Sequence, residues 1–342
     1  MKIRNLTLPM AAVLSTSLPA LAQLPNASQQ VDSVQQRQQL DQALPELADT
    51  NAVPELYAGE SSDLGPQSVL QVKPRRTLFK AFADEQYFYT DNMFLADHDK
   101  QGVDVLVSTV QAALAPSPYP VGGGLLSPQI GFQEQWFSYG LAGSPLIQIQ
   151  NLANNQYQNV RLDYFDFNAL TAFGNISWSR GKWTFTLGGD FRQLQDSDGY
   201  TEFYREYVPT WSVRRDFATS DTTALTIGYE GDYRITDTAY VPTGEGTDFN
   251  DRTDHAVFVA GSWRLCRFAT LQPSYRFQYT HFTSIHREDY LNSFGLTLDC
   301  PITDQITLRT YISYDHLNTD GAFVNNFDQL AAGGGINLTV RF

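Results

Sequence analysis

Long segments with a two-residue period constrain this chain more than any other feature. From residue 77 onward, apolar or aromatic residues alternate with polar or small ones, as where Trp183, Phe185 and Leu187 are separated by polar neighbours. Successive side chains of a strand point to opposite faces, so each segment predicts a strand with one apolar and one polar face. Strands of globular proteins are commonly about five or six residues long. The longer segments here therefore favour a membrane-spanning barrel over a soluble sandwich.

The pattern predicts an all-β fold, a transmembrane antiparallel up-and-down barrel of about twelve strands. The predicted strands cover 78–94, 103–115, 127–140, 158–178, 182–195, 200–215, 222–236, 255–265, 268–281, 289–299, 304–315 and 329–342. An even number places both ends of the barrel on the periplasmic side. Aromatic residues near the strand ends, such as Trp136 and Trp178, suit the two membrane interfaces. The connections expected at the outer end are also longer on average than those at the inner end.

The first residues have the features of a cleaved secretory leader. Lys2 and Arg4 precede an apolar stretch from Leu6 to Leu21, which is too short and too interrupted to span a bilayer as a helix. Ala20 and Ala22 are small enough for cleavage before residue 23. We therefore predict a bacterial outer-membrane location. The formal charge of −14 argues against a nucleic-acid partner, because binding phosphates requires a basic surface.

Residues 23–76 differ in composition from the barrel. The part from Ser28 to Asp49 is rich in Gln, its apolar residues are loosely spaced as in a helix, and several prolines follow. We expect a signal peptide over 1–22, a periplasmic linker or partial plug over 23–76 that is partly helical or disordered, and the barrel over 77–342. A disordered tail without a role is an equal alternative for 23–76.

The chain closes on a strand with an aromatic terminus. Ile336, Leu338, Val340 and Phe342 fall on one face of it. This arrangement resembles the C-terminal signal that the outer-membrane assembly machinery reads. The resemblance implies that this machinery is a partner of the chain during biogenesis.

A second resemblance lies in the first predicted strand. The stretch Tyr87-Phe88-Tyr89-Thr90-Asp91-Asn92-Met93-Phe94-Leu95 is similar to the Tyr-Asp-Asp-Asn-(apolar)-Phe opening of a broad family of outer-membrane β-barrel porins. Thr90 replaces one acidic residue of that pattern. In the family the motif lies in the first transmembrane strand, after a signal peptide and a linker. The resemblance implies a porin-like barrel and leaves its solute open.

Charged residues of both signs occupy the polar faces of the predicted strands. The pore-lining candidates are Asp190, Arg192, Glu230, Asp232, Arg234, Arg276, Arg309, Asp315 and Arg341. A lumen of mixed charge suits small polar solutes, whereas a channel for acidic oligosaccharides would be mostly basic. We expect a channel for passive diffusion of small hydrophilic solutes, embedded in outer-membrane lipid. The alternative is a structural or docking barrel that binds a periplasmic partner through 23–76 and an extracellular one through 141–157 and 237–254.

The histidines raise a third alternative, a hydrolase at the outer rim. All five lie at or near predicted outer loops, and His98, His255 and His316 each have a neighbouring Asp that could orient the imidazole for base catalysis. Such a site would require these pairs to converge. The sequence has no Glu-x-x-His, Cys-x-x-Cys or Gly-x-Ser-x-Gly spacing to support it. We therefore expect no catalytic residues, no metal site and no cofactor.

Two cysteines, Cys266 and Cys300, fall at the predicted inner ends of two strands. Disulfides form readily in exported proteins, so we predict a structural bridge between them. Strand parity alone places the two side chains on opposite faces, which is the argument against that bridge.

Overall fold

The computed structural model describes residues 27–38, 78–98, 100–141, 146–151, 156–239, 246–321 and 324–341. The predicted signal peptide, the segment 39–77 and Phe342 lie outside the described residues. Residues 27–38 form an α-helix, α1, and a short 3-10 helix spans Leu162–Phe165. No helix in the described ranges is long and apolar enough to cross a bilayer.

The rest of the described chain is built from β-strands. Their bounds are β1 (Phe79–Thr90), β2 (Val103–Leu114), β3 (Tyr119–Val121), β4 (Gly124–Tyr139), β5 (Leu146–Asn151), β6 (Gln156–Arg161), β7 (Phe167–Arg180), β8 (Trp183–Asp196), β9 (Glu202–Ala218), β10 (Thr223–Thr238), β11 (Arg252–Cys266), β12 (Ala269–Phe282), β13 (Glu288–Pro301), β14 (Ile306–Thr319) and β15 (Phe327–Arg341). Twelve of these, all except β3, β5 and β6, pair in sequence order into one antiparallel sheet. The predicted all-β class and strand number are confirmed.

The sheet closes because its first and last strands pair. On β1, Ala83 is the register partner of Leu338 on β15 and of Val110 on β2, so β1 has a neighbour on each side. The seam is tight: a Cβ atom at Gly333 would lie 2.3 Å from the Cβ of Phe88. Closure leaves no free edge, and every strand can therefore satisfy its backbone groups inside a bilayer.

Two predicted boundaries are wrong, one after β4 in the sequence and one before it. The predicted strand 158–178 combines the end of β6 with β7; β6 pairs only with β5 in a small separate hairpin, and the 3-10 helix intervenes. The connection between the predicted strands 103–115 and 127–140 contains β3, which extends the sheet beside the start of β4. Both errors occur where short paired segments interrupt the longer period of the barrel.

The connections are asymmetric between the two ends of the barrel. At one end they span 91–102, 140–166, 197–201, 239–251, 283–287 and 320–326, and at the other 115–123, 181–182, 219–222, 267–268 and 302–305. In outer-membrane barrels the longer loops lie at the extracellular end. We call the end with the longer connections the outer end, and the opposite end the inner end.

The outward faces of the strands expose large apolar side chains. Leu187 is 70% exposed and Ile130 is 62% exposed, and Ile176, Val257 and Leu296 belong to the same outward set. Large apolar side chains exposed around a whole barrel would be unfavourable in water, where apolar surface is normally buried. The outer surface is therefore that of a barrel surrounded by lipid.

Candidate channel lumen

The inward parity of the strands brings most of the predicted pore-lining residues into the lumen. A cavity of about 440 Å³ toward the inner end, which we call the inner cavity, is lined by Asp190, Arg192, Glu230, Asp232, Arg234 and Arg276. Asp315 and Arg276 line a second cavity of about 140 Å³ nearer the outer end, which we call the outer cavity. Arg309 is buried and its Nε donates to Asp299 at 3.1 Å. Arg341, in contrast, is exposed at the inner end of β15 and lies at the rim.

The helix α1 lies inside the barrel. Its apolar residues Ala27, Val31 and Val34 recur at helical spacing and belong to a buried cluster with strand residues such as Val105 and Phe137. Val31 and Val34 are both 0% exposed. This face of α1 is held by apolar packing within that cluster, whose strand residues come mainly from β1, β2, β4 and β7.

The opposite face of α1 carries a carboxylate into a group of arginines. Asp32 lies 2.8 Å from Arg192, 2.9 Å from Arg234 and 3.6 Å from Arg252, which belong to β8, β10 and β11. Burial favours the neutral acid, but the charges of Arg234, Arg192 and Arg252 outweigh it and hold the pKa of Asp32 below its usual value. Charge-assisted hydrogen bonds of this kind are among the stronger ones in proteins.

The wall supplies its own acids to the same arginines. Glu206, which is 0% exposed, lies 2.7 Å from Arg192. Asp254 lies 3.0 Å from Arg234 and 3.3 Å from Arg252. Each of the three arginines therefore has a carboxylate partner on the barrel wall in addition to Asp32. Asp32 adds a further carboxylate, from α1, to a network in which each arginine also has a partner on the wall.

Further polar contacts fix the two ends of α1. The side-chain amide of Gln38 donates to Asp84 at 3.1 Å and to Thr109 at 3.3 Å, near the middle of β1 and β2. Toward the outer end, Tyr139 donates a hydrogen bond to Gln30. The helix thus runs from the outer part of the lumen toward its middle.

Loops close part of the outer end above α1. Met93, Ile147, Leu162 and Phe165 are buried in the same apolar cluster as the helix. The stretch Tyr87–Leu95 contributes to this closure, because β1 ends at Thr90 and the residues that follow turn inward. The predicted strand 78–94 therefore ends at Thr90 and not at residue 94.

Asn92 of that stretch anchors the inward turn. It is 0% exposed, its side-chain amide donates to the backbone carbonyls of Ala96 and Asp328, and its side-chain oxygen accepts from the Ala96 amide. A buried amide whose groups are all used in this way specifies one loop conformation. The motif thus has a structural role at the outer end of the lumen.

The Asp-His neighbours do not converge. Asp254 and Asp315 point into the lumen, whereas His255 and His316, one residue further along each strand, point outward. His255 packs among aromatic rings and hydrogen-bonds Tyr229 at 2.8 Å, and His98 is largely exposed beside Asp97. The geometry gives the rim-hydrolase alternative no support. In the described part of the chain, no group of three or more His, Cys, Asp or Glu side chains is placed to hold a metal ion.

The predicted disulfide is wrong, since both cysteines are free. The strand β12 separates them: Cys266 pairs with Ala269 of β12, and Cys300 follows Asp299, the partner of Thr270 on the other side of β12. Two strand spacings amount to roughly 10 Å, and a disulfide requires Cα atoms within about 7 Å.

On β15, Ile336 and Leu338 are exposed on the outward face, as their alternation predicts, and Val340 follows at the same parity. Their predicted role as an assembly signal stays a prediction.

Three members of the charge network lie outside the predicted strands. Arg252 and Asp254 lie at the start of β11, which was predicted to begin at residue 255 and so left them in a loop. Asp32 lies in a segment with no strand period, and nothing in the sequence marks it as facing the lumen. The alternation of Arg252, Asp254 and Ala256 is the one signal that could have extended the strand.

No protein-family model matches this chain, and no curated protein does. Among solved structures, the chain is similar to the β domain of the Bordetella autotransporter BrkA (14% identity, TM-score 0.40, covering 78% of this chain and 100% of that one). It is also similar to the NanC porin, with 12% identity and a TM-score of 0.40, covering 75% of this chain and 98% of that one. A third similar structure is an outer-membrane channel from Pseudomonas putida F1, with 9% identity and a TM-score of 0.46, covering 77% of this chain and 96% of that one. These likenesses are too weak to say what this chain carries or binds.

Proposed function

We propose that this protein is an outer-membrane channel through which small hydrophilic solutes diffuse passively along the polar face of α1. The main support for this proposal is that the two lumen cavities adjoin. Asp32, Gln36 and Arg276 line both of them, so the outer and inner cavities adjoin beside the helix. A polar passage of this kind is what a diffusion channel requires.

The lipid-facing exterior and the closed sheet support a position in the outer membrane, since of sheet structures only closed barrels can span a bilayer. The inward charges support a polar cargo. Arg276, for example, points into the passage and is paired with Glu230. Paired charges along a lumen attract polar solutes without binding any one of them tightly.

Single-channel conductance in planar bilayers tests the proposal, using the mature protein and a variant that lacks residues 23–38. We expect a small, steady conductance from the mature protein and a several-fold larger one from the variant. A barrel that conducts in neither form contradicts the proposal.

A docking barrel is the second candidate, and the packing of α1 favours it. The apolar contacts of Val31 and Val34, together with the inward turn of the loops, hold the helix as a plug would be held. In that case the mature protein does not conduct, and only the variant without α1 does.

A further inference from the structure

The outer cavity has an excess of unused hydrogen-bonding groups. Within the described part of the chain, the Ser28 hydroxyl, the Nε and Nη2 atoms of Arg37, the Nε of Arg276 and the Ser313 hydroxyl are buried and have no hydrogen-bond partner. All four residues line the outer cavity. Leaving buried donors unpaired is unfavourable, so such a concentration marks a place where a ligand can supply the acceptors.

Most charged residues around this cavity form ion pairs, and one basic and one acidic residue do not. Arg252 pairs with Asp32 at 3.6 Å, Arg287 pairs with Asp289, and Arg276 pairs with Glu230 outside the cavity. Arg37 and Asp315 also line the cavity; Arg37 acts on Asp315 through space, but among the described residues neither forms a salt bridge. The cavity therefore presents one cation and one anion that are not engaged in a salt bridge.

Each of these two groups is held in place. The Arg37 guanidinium stacks between aromatic rings, 4.7 Å from the centre of the Tyr311 ring and 5.2 Å from that of Phe88. Asp315 lies on β14 and accepts a hydrogen bond from the Ser293 hydroxyl, and Ser293 also lines the cavity. Since α1 carries the cation and the barrel wall carries the anion, the site exists only while the helix is docked.

The approach to the cavity selects against net negative charge. Acidic residues outnumber basic ones in the described outer connections, where the acids are Asp91, Asp97, Asp163, Asp166, Asp198, Asp248, Asp251 and Asp320 and the bases are Lys100, Arg161 and Arg287. A rim of this sign lowers the local concentration of anions. A solute with both charges and no net charge avoids that repulsion.

We infer that the outer cavity is a transit site for small zwitterionic solutes, compounds that carry a carboxylate and an ammonium group as amino acids do. The carboxylate is held by Arg37, with Arg276 and the Ser28 and Ser313 hydroxyls nearby. The ammonium group is held by Asp315. This inference rests on the proposed channel function and adds a solute class to it.

Uptake into proteoliposomes tests the inference with three radiolabelled probes of similar size. L-alanine is zwitterionic, L-lactate is anionic and glycerol is neutral. We expect saturable uptake of L-alanine, several-fold faster than that of lactate or glycerol. Asp315→Asn should reduce alanine uptake to about the glycerol rate and leave glycerol uptake unchanged.

Asp304→Asn, on the exposed inner connection 302–305, is the matched control and should keep the alanine preference. Arg37→Met retains a long side chain between the two rings and removes the charge, so it should lose the preference while α1 remains docked. Uptake of all three probes at similar rates, unchanged by Asp315→Asn, overturns the zwitterion site and leaves the channel in place. If no probe enters, the proposed function itself fails.

Discussion

The two sides of the lumen differ in the contacts that they make with α1. The wall from β1 to β7 meets the helix with apolar side chains such as Val105 and Phe137, and the cavity beside Ala27 on that side has only about 10 Å³. The wall from β8 to β15 meets the helix with charged residues, borders the outer cavity, and shares the inner cavity with polar residues of β2, β4 and β7. The apolar contacts therefore hold the helix, and its charged face leaves a polar space along it. An amphipathic helix can thus narrow a barrel without filling it.

Disrupting the apolar side should have the largest effect. Val31→Asp places a charge in a fully buried apolar contact, at a cost of several kcal/mol. We expect α1 to leave the wall, the single-channel conductance to rise several-fold, and proteases to cleave within 27–38. The matched control is Gln36→Asp on the polar face, which should leave protease resistance near that of the wild type. A Val31→Asp variant with unchanged conductance and protease resistance would show that apolar packing does not hold the helix.

Disrupting the charged side should have a smaller effect. Asp32→Asn removes the ionic contacts to Arg192, Arg234 and Arg252, but each arginine keeps a wall carboxylate. We expect α1 docking to weaken by about 2 kcal/mol. This should appear as brief openings to the larger conductance level, while the barrel melts at an unchanged temperature. If the larger conductance level is reached as often as in Val31→Asp, then the charges contribute more than the apolar packing to the docking of α1.

Acidification should act on the charged side only at low pH. The pKa of Asp32 is held below its usual value of 3.8 by the facing Arg192, Arg234 and Arg252, so its contribution to docking is present above that value and is lost as the pH falls through the lower, folded-state pKa. Glu206 and Asp254 face the same arginines. We expect protease protection of 27–38 to persist from pH 7 to about 4 and to fall only in stronger acid. Loss of protection near pH 6 would be inconsistent with this linkage.

The cysteines, which lie away from both sides of the lumen, should have the smallest effect. Since Cys266 and Cys300 are free and separated by β12, we expect the double variant to Ser to melt within about 1 °C of the wild type, because a 1 kcal/mol change shifts a domain of this size by only a few degrees. Mass spectrometry after alkylation of the denatured, unreduced protein should find two modified thiols. If no modified thiol is found, the two cysteines form a disulfide.

The sequence predicts the barrel well because a barrel strand needs only a local signal. Alternation in segments such as 183–187 is imposed by lipid on one side and the lumen on the other, and it identifies Arg192 and Arg234 as inward residues. The predicted strand 158–178 fails because β6 alternates like a barrel strand but pairs only with β5.

The charge network is predicted only in part, because its members come from distant segments. Asp32 meets Arg234 across 202 residues of sequence, and no local period encodes that contact. The two cysteines are the opposite case, in which the sequence suggests a contact that the fold does not make. Both lie at inner strand ends, but β12 lies between them.

Fixing the helix in place tests whether solutes pass beside a docked α1. Gln38→Cys and Thr109→Cys, introduced into a protein whose native cysteines are Ser, replace two side chains that touch at 3.3 Å. A short bis-methanethiosulfonate reagent, reversible by reductant, then links α1 to β2. We expect the single-channel conductance of the crosslinked protein to equal that of the uncrosslinked protein. Conductance that vanishes on crosslinking and returns on reduction would show that the helix is a plug which must leave before anything passes.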